Sequence, residues 1–261
     1  MPESVTAPQI RAMRQKGKRS VWVTAYDSVF GSIADEAGVD VVLVGDSVGN
    51  VLLGYENTLP VTLDMMVHHT RAVRAGVKRA LVVSDLPFGS YQLSVRDAVE
   101  AAVTLARHGA QAVKLEGGYT DEITACVRAG IPTAGHLGMT PQSVNVFGGH
   151  RVQGRGDRGD EIVTLAKQLE DAGAFAIVLE LIPAELAQRI TDAVTIPTIG
   201  IGAGIGCTGQ VQVLTDVLGL TNDSFKHARA FVRGRNCLLD GLRDYADAVR
   251  DGSFPTEENS F

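Results

Sequence analysis

Lys114 and Glu116 stand two residues apart in Ala112-Val-Lys-Leu-Glu-Gly-Gly118. In an extended strand, side chains alternate between two faces. The ammonium and the carboxylate therefore share one face, with Val113 and Leu115 on the other. The stretch lies between a helical segment closing on His108-Gly-Ala110 and another starting near Thr120. That is the pattern of a βα repeat, whose parallel strands are buried on both faces. Charges facing inward on such a strand are costly unless paired or metal-bound, which marks the position as a candidate site. Other ionisable residues fall at strand ends in the same way: Asp46, Asp85, His136 and Glu180.

Asp46, Asp85 and Glu116 form an all-oxygen set without cysteine, which suits a hard cation, Mg²⁺ before Ca²⁺ or Zn²⁺. Mg²⁺ keeps open positions where a 2-oxo acid could chelate through its keto and carboxylate oxygens. Lys114 adds a point charge for a carboxylate. Such an arrangement stabilises an enolate, because positive charge meets the developing negative charge. Glu180, on a separate strand, could then take a proton from the carbon beside the carbonyl. For His136 a catalytic or substrate-contacting role and a structural hydrogen bond stand side by side. The glycine run Gly200–Gly206 sits where many barrels bind phosphate, but glycines also permit close approach of chain to chain.

The elements that must carry these residues repeat. Candidate strands cover Val21–Asp27, Val39–Gly45, Ala80–Asp85, Ala112–Glu116, Pro132–His136, Ala176–Glu180, Pro197–Ile201 and Gln210–Asp216. Most follow a helical segment closing on glycine. Eight such strands in 261 residues predict one (β/α)₈ TIM barrel over residues 1–261, with extra N-terminal and C-terminal helices. Thr6-x-x-Gln9 has capping-box spacing and opens a helix ending at Gly17, and Ser28–Ala37 reads as another, stopped by Gly38. Gly138–Asp160 is rich in Gly and Arg and lacks an apolar period, so it reads as a lid. Ser224–Gly234 and Asn236–Gly252 read as two further helices, and Ser253–Phe261 as a polar tail.

Against 24 basic residues stand 30 acidic ones, a net charge of −6 that disfavours nucleic acid as a partner. The one basic run, Arg11 to Arg19, reads as a solvated helix face. The three cysteines have no metal or disulfide spacing, as expected of reduced thiols in a cytoplasmic protein. The start of the chain lacks a signal-peptide pattern, and no apolar run is long enough to span a membrane.

Ordered blocks along nearly the whole chain carry a resemblance. They include Thr24-Ala-Tyr-Asp27, Gly45-Asp-Ser-Val-Gly-Asn50, Thr58-Leu-Pro-Val-Thr-Leu-Asp64 and Asp85-Leu-Pro-Phe-Gly-Ser-Tyr-Gln92. They continue with Val113-Lys-Leu-Glu-Gly-Gly118, Gly135-His-Leu-Gly-Met-Thr-Pro-Gln142, Gly149-His-Arg-Val-Gln-Gly-Arg155 and Ile199-Gly-Ile-Gly-Ala-Gly204. The chain resembles the ketopantoate hydroxymethyltransferases. The resemblance implies Mg²⁺-dependent transfer of a hydroxymethyl unit from 5,10-methylenetetrahydrofolate to 3-methyl-2-oxobutanoate, giving 2-dehydropantoate for pantothenate synthesis. It implies that Asp46 and Asp85 bind the metal and that Glu116 completes its shell. It further implies that Ser47, Asp85 and Lys114 contact the oxo acid, that Glu180 accepts the proton, and that the protein is a cytoplasmic homodecamer. His150, Thr215 and Asn259 depart from the family's usual Tyr, His and His.

Two rival readings are a lyase or mutase of the phosphoenolpyruvate mutase and isocitrate lyase group, and a non-catalytic barrel. The absence of cysteine from Gly138–Asp160 counts against the first. The presence of Lys114, Glu116 and Glu180 together counts against the second, since binding alone needs no base.

Overall fold

The structure is a computed structural model that describes residues 4–221 and 225–261. Residues 1–3 and the expected helix start at Ser224 lie outside the described residues. Among the described residues, eight parallel strands pair in chain order and close into a barrel. They are β1 (Ser20–Thr24), β2 (Val41–Val44), β3 (Leu81–Asp85), β4 (Ala112–Lys114), β5 (Thr133–Gly138), β6 (Ile177–Glu180), β7 (Thr198–Ile201) and β8 (Gly209–Gln212). Each overlaps a segment expected from sequence, but the strand expected over Gln210–Asp216 ends at Gln212 and Leu214–Val217 is helical instead; β8 pairs back onto β1 with Trp22 opposite Val211. The chain folds as a TIM barrel.

The helices are α1 (Ala7–Gln15), α2 (Ser28–Glu36), α3 (Val48–Val51), α4 (Leu63–Gly76), α5 (Val95–Arg107), α6 (Thr120–Arg128), α7 (Val144–Phe147), α8 (Arg158–Asp171), α9 (Ala184–Ala193), α10 (Leu214–Val217) and α11 (Gly234–Asp251). Local chemistry accounts for their starts. Thr6 caps α1 in a capping box with Gln9, and the Ser94 hydroxyl accepts from Asp97 N at the head of α5. α5 then buries Ala98, Ala101, Ala102 and Leu105, one stripe at helical spacing. Arg14 of α1 donates to the carbonyls of Thr191, Val194 and Ile196, so its charge meets the open carbonyl end of α9.

The period of two along each strand sets what faces inward. Trp22, Val41, Leu43, Leu81, Val83, Ala112, Ala134, Ala176, Val178, Ile199 and Val211 form one buried cluster. Val5, Ala7 and Ile10 join it, and Trp22 stacks on Phe175 with ring centroids 6.2 Å apart. Two residues further along the same faces come Asp85 after Val83, Lys114 after Ala112, His136 after Ala134 and Glu180 after Val178. The charged groups are thus the next interior layer, towards the C-terminal ends of the strands, where barrels of this type work.

Three further expectations need correction. Gly138–Asp160 is not a structureless lid: Gly138 ends β5, Pro141–Ser143 is a 3-10 turn, α7 follows, and Asp160 lies in α8. Residues 225–233 form turns and extended chain in place of a helix, tied by Phe231 N to Val217 O and Gly234 N to Leu218 O. The polar tail contains a 3-10 turn at Glu257–Asn259. The chain also divides after Gln212 into two compact units, the first holding the barrel and the second α10 and α11.

Candidate active site

The strand ends deliver a continuous line of charge. Asp85 and Lys114 close β3 and β4 in direct register, and Lys114 Nζ lies 3.0 Å from Asp85 Oδ1. Beyond β4, Glu116 places Oε1 3.9 Å from the same ammonium and 3.3 Å from His136 Nδ1. On the other side of the ring, His136 Nε2 lies 3.2 Å from Glu180 Oε2. Asp46 joins from the loop after β2: its backbone N–H donates to Asp85 Oδ2 at 3.1 Å. Asp46, Asp85, Lys114, Glu116 and His136 are all buried, whereas the Glu180 side chain keeps 17% exposure. Next to Asp46, Ser47 Oγ is hydrogen-bonded to the Tyr26 hydroxyl at 2.8 Å. All seven residues singled out from the sequence gather here.

Burial and mutual charge shift these groups in different directions. Burial, with the like charges of Glu116 and Asp85, pushes Asp46 well above the usual carboxylate range, against the pull of Lys114 and a hydrogen bond from Gln142. Burial also raises Asp85, although Lys114 opposes it. Glu116 is penalised by burial as well, but His136 and Lys114 outweigh that and leave it lowered. Burial and Lys114 depress His136, yet Glu116 and the hydrogen bonds to Glu116 and Glu180 prevail and raise it to about 9. His136 thus lies between two carboxylates that favour its charged form, with the Lys114 ammonium 3.4 Å from Nδ1 opposing it. That places it in the line of charge between Glu116 and Glu180. Burial lifts the Cys126 and Cys207 thiols to about 11, so neither is an activated nucleophile.

The site has more negative than positive groups, and Asp46 shows it most. Its Oδ2 accepts from the neutral Gln142 amide at 2.8 Å, while the one ammonium of the cluster sits against Asp85. Among the described residues, no group of three or more His, Cys, Asp or Glu side chains forms a ready cage for a metal. Glu116, expected in the metal set, has both oxygens engaged by protein donors: Oε1 faces His136 and Lys114, and Oε2 accepts from Gln142 N at 2.9 Å. Asp46 and Asp85 remain as hard oxygen donors. Mg²⁺ commonly takes one or two carboxylates and completes its shell with water and substrate, so the residues present fit that ion.

Three residues that sequence reasoning passed over belong to the site. Tyr26 supports Ser47, and Tyr91 and Gln142 bond to each other and to Glu116. Their signal in the sequence was only that they lie inside quoted blocks, beside strand ends. Leu181, just after Glu180, is the one non-glycine residue with positive φ (45°) among the described residues. Its backbone is fixed by Leu181 N to Ile201 O and Gln153 N to Leu181 O, both at 2.9 Å. Such strain beside a candidate base fits a functional position. A cavity of about 380 Å³ lies between the loop after β2 and α7, lined by Glu56, Asn57, Val144, Asn145 and His150. In the glycine run, a side chain at Gly204 or Gly206 would strike Ala184 or Gln188 of α9 at 2.6 or 2.5 Å. Close packing and a positive φ account for Gly204, whereas the Gln188 side chain could move aside at Gly206.

Comparison with known proteins places the chain among its relatives. A sequence profile of the family described as ketopantoate hydroxymethyltransferase matches residues 4–257. A 3-methyl-2-oxobutanoate hydroxymethyltransferase of Syntrophus aciditrophicus is 51% identical over 98% of this chain and 96% of its own. One from Moorella thermoacetica is 52% identical over 98% and 97%. Solved structures similar in fold include a phosphonopyruvate hydrolase in complex with oxalate and Mg²⁺, with a TM-score of 0.63, 14% identity and coverage of 98% and 93%. A 2,3-dimethylmalate lyase of the PEP mutase/isocitrate lyase superfamily gives a TM-score of 0.62 at 17% identity, covering 98% and 92%. The solved structures share the barrel; the full-length matches at half identity share the family as well. The chain belongs to the ketopantoate hydroxymethyltransferase family and is a hydroxymethyl-transferring enzyme.

Proposed function

We propose that this enzyme moves a hydroxymethyl unit from 5,10-methylenetetrahydrofolate to 3-methyl-2-oxobutanoate, giving 2-dehydropantoate for pantothenate synthesis, with Mg²⁺ as cofactor. The observation that carries the reading is Asp46, a buried carboxylate raised by burial and by two like charges and supported by a neutral amide. Asp46 and Asp85 would hold the ion, and Glu116 would act on it through water. When bound, Mg²⁺ supplies positive charge opposite the keto oxygen, where enolate charge develops.

The chain's own residues do the rest. Lys114, raised above its usual value because Asp85, Glu116 and Asp46 outweigh its burial, stays an ammonium and pairs with the substrate carboxylate. Ser47, anchored by Tyr26, offers a further hydrogen bond. Glu180 is the partly open carboxylate of the cluster, and it takes the proton from C3 of the oxo acid. The resulting carbon nucleophile forms a C–C bond to the methylene carbon, both C–N bonds of that carbon to the folate break, water supplies the hydroxyl oxygen, and the freed protons go to the folate nitrogens. The cavity at Glu56, Asn57 and His150 is where the folate is placed, because its α7 wall begins two residues after Gln142. Leu238, Leu242, Tyr245 and Val249 form one exposed face of α11, which supports a homo-oligomer, the decamer of the family resemblance. No described helix is long and apolar enough to cross a membrane, and a cytoplasmic location completes the reading.

The direct test is transfer itself. Protein stripped with chelator should form no 2-dehydropantoate from the two substrates, and added Mg²⁺ should restore it. Transfer at full rate without divalent metal, or no transfer with it, would refute the proposal.

A further inference from the structure

Gln142 follows the 3-10 turn's Pro141 and is buried, 6% exposed. Every hydrogen-bonding position of its side-chain amide is used. Nε2 donates to Asp46 Oδ2 at 2.8 Å and to Leu86 O at 2.9 Å. Oε1 accepts from the Tyr91 hydroxyl at 2.7 Å and from Gln92 Nε2 at 2.9 Å. These four partners allow one orientation of the amide. Turned over, its carbonyl would face a carboxylate and another carbonyl, and its NH₂ would face the NH₂ of Gln92. The backbone N–H of the same residue donates to Glu116 Oε2 at 2.9 Å. Having given its proton to Gln142, the Tyr91 hydroxyl accepts from Glu116 N at 3.1 Å. One residue of the loop after β5 thus joins the ends of β2, β3 and β4.

The choice of an amide is informative. A lysine or arginine here would satisfy Asp46 by neutralising it and would compete with a bound cation. A glutamate would add a fourth buried carboxylate facing Asp46 and the Leu86 carbonyl. A neutral donor fixes the carboxylate and leaves its charge uncompensated. We propose that Gln142 is a positioning residue: its amide fixes the plane of the Asp46 carboxylate and so sets the affinity of the site for a divalent cation. The proposal rests on the reading that Asp46 holds such a cation. Partners that orient ligands in this way typically contribute about 10–100-fold to metal affinity.

The test uses the full chain and Mn²⁺ alone as the probe, with free Mn²⁺ counted by its electron paramagnetic resonance signal. Gln142→Met is close in length and keeps the backbone donor to Glu116. It should weaken Mn²⁺ binding by about tenfold or more; the four partners it strands should also lower the melting temperature, so binding is read well below the variant's own unfolding transition. Gln92→Ala removes one of the two donors to the amide oxygen and leaves the Asp46 bond in place; it should weaken binding measurably, by less than Gln142→Met. Asp46→Asn serves as the reference and should weaken binding most. Weak binding by Asp46→Asn with unaltered binding by Gln142→Met overturns the positioning role alone. Unaltered binding by Asp46→Asn overturns the metal reading and the positioning role together. Should Gln142→Met fail to fold, Gln92→Ala decides, and unchanged Mn²⁺ affinity in that variant overturns the proposal.

Discussion

Lys114 is the cation on which the buried carboxylates depend, since its ammonium lies 3.0 Å from Asp85 and 3.9 Å from Glu116. Lys114→Ala should therefore cost stability as well as substrate affinity. Leaving one partner of a buried ion pair alone costs about 3–5 kcal/mol, to be read by denaturant unfolding in metal-free buffer. Added Mg²⁺ should restore part of the loss, and an unfolding curve identical to that of the unaltered protein would contradict the pairing. His136 makes a second prediction, with a definite sign. Its folded pKa, about 9, lies above the unfolded value near 6.5. The stability it contributes is complete below about pH 6.5 and is lost as pH rises through about 9. Buried as it is, that amounts to on the order of 3 kcal/mol. Without metal, stability should decline over this window, and His136→Gln should remove that part of the decline. A matching decline in the variant would show that another group is responsible. Asp85, Lys114, His136 and Glu180 were legible in the sequence because strand period decides which strand-end residues share the interior, and Glu116 keeps that direction two residues past Lys114 although β4 ends at Lys114. Tyr91 and Gln142 were not, because loop residues reach the site through tertiary placement that no local period encodes.

At the level of elements, the barrel was readable because each βα unit repeats the same punctuation. Gly109, with φ of +110°, marks the end of α5 and the approach to β4, as the sequence suggested. α7 was missed for a physical reason: at four residues it is too short to show a helical period. The stretch 225–233 misled in the opposite sense, since its apolar residues look periodic while its backbone bonds go to Val217 and Leu218. One tie between elements was also unforeseen. Asp35, near the end of α2, accepts from the backbone N–H groups of Lys78, Arg79 and Ala80, the last at 2.6 Å, just before β3. Burial opposes its charge, but these donors prevail and lower its pKa. Its stabilisation is therefore present above the ordinary value near 3.8 and lost as pH falls through the lowered one. Asp35→Ala should cost about 2 kcal/mol at neutral pH, measured by denaturant unfolding, and less in acid. Equal losses at pH 7 and pH 2 would rule out the charge as the cause.

Across the whole molecule, five successive strands, β2 to β6, end in or beside an ionisable group, and the barrel's closure turns all of them to one interior. Glu180 stands on a separate strand from Asp46 and Asp85. The structure connects it to Asp85 through Lys114, Glu116 and His136, each within 4 Å of the next. On the proposed reading Glu180 is the base at the open end of this line, and its role is separable from binding. General-base assistance is typically worth about 10²–10⁴ in rate. The decisive measurement is deuterium exchange at C3 of 3-methyl-2-oxobutanoate, followed by proton NMR in D₂O with Mg²⁺ and no folate. The unaltered enzyme should exchange this proton, and Glu180→Gln should bind the oxo acid normally while exchange falls by about 10²–10⁴. Exchange at an undiminished rate in Glu180→Gln would contradict the assignment, and its absence from the unaltered enzyme would contradict enolisation as the first step.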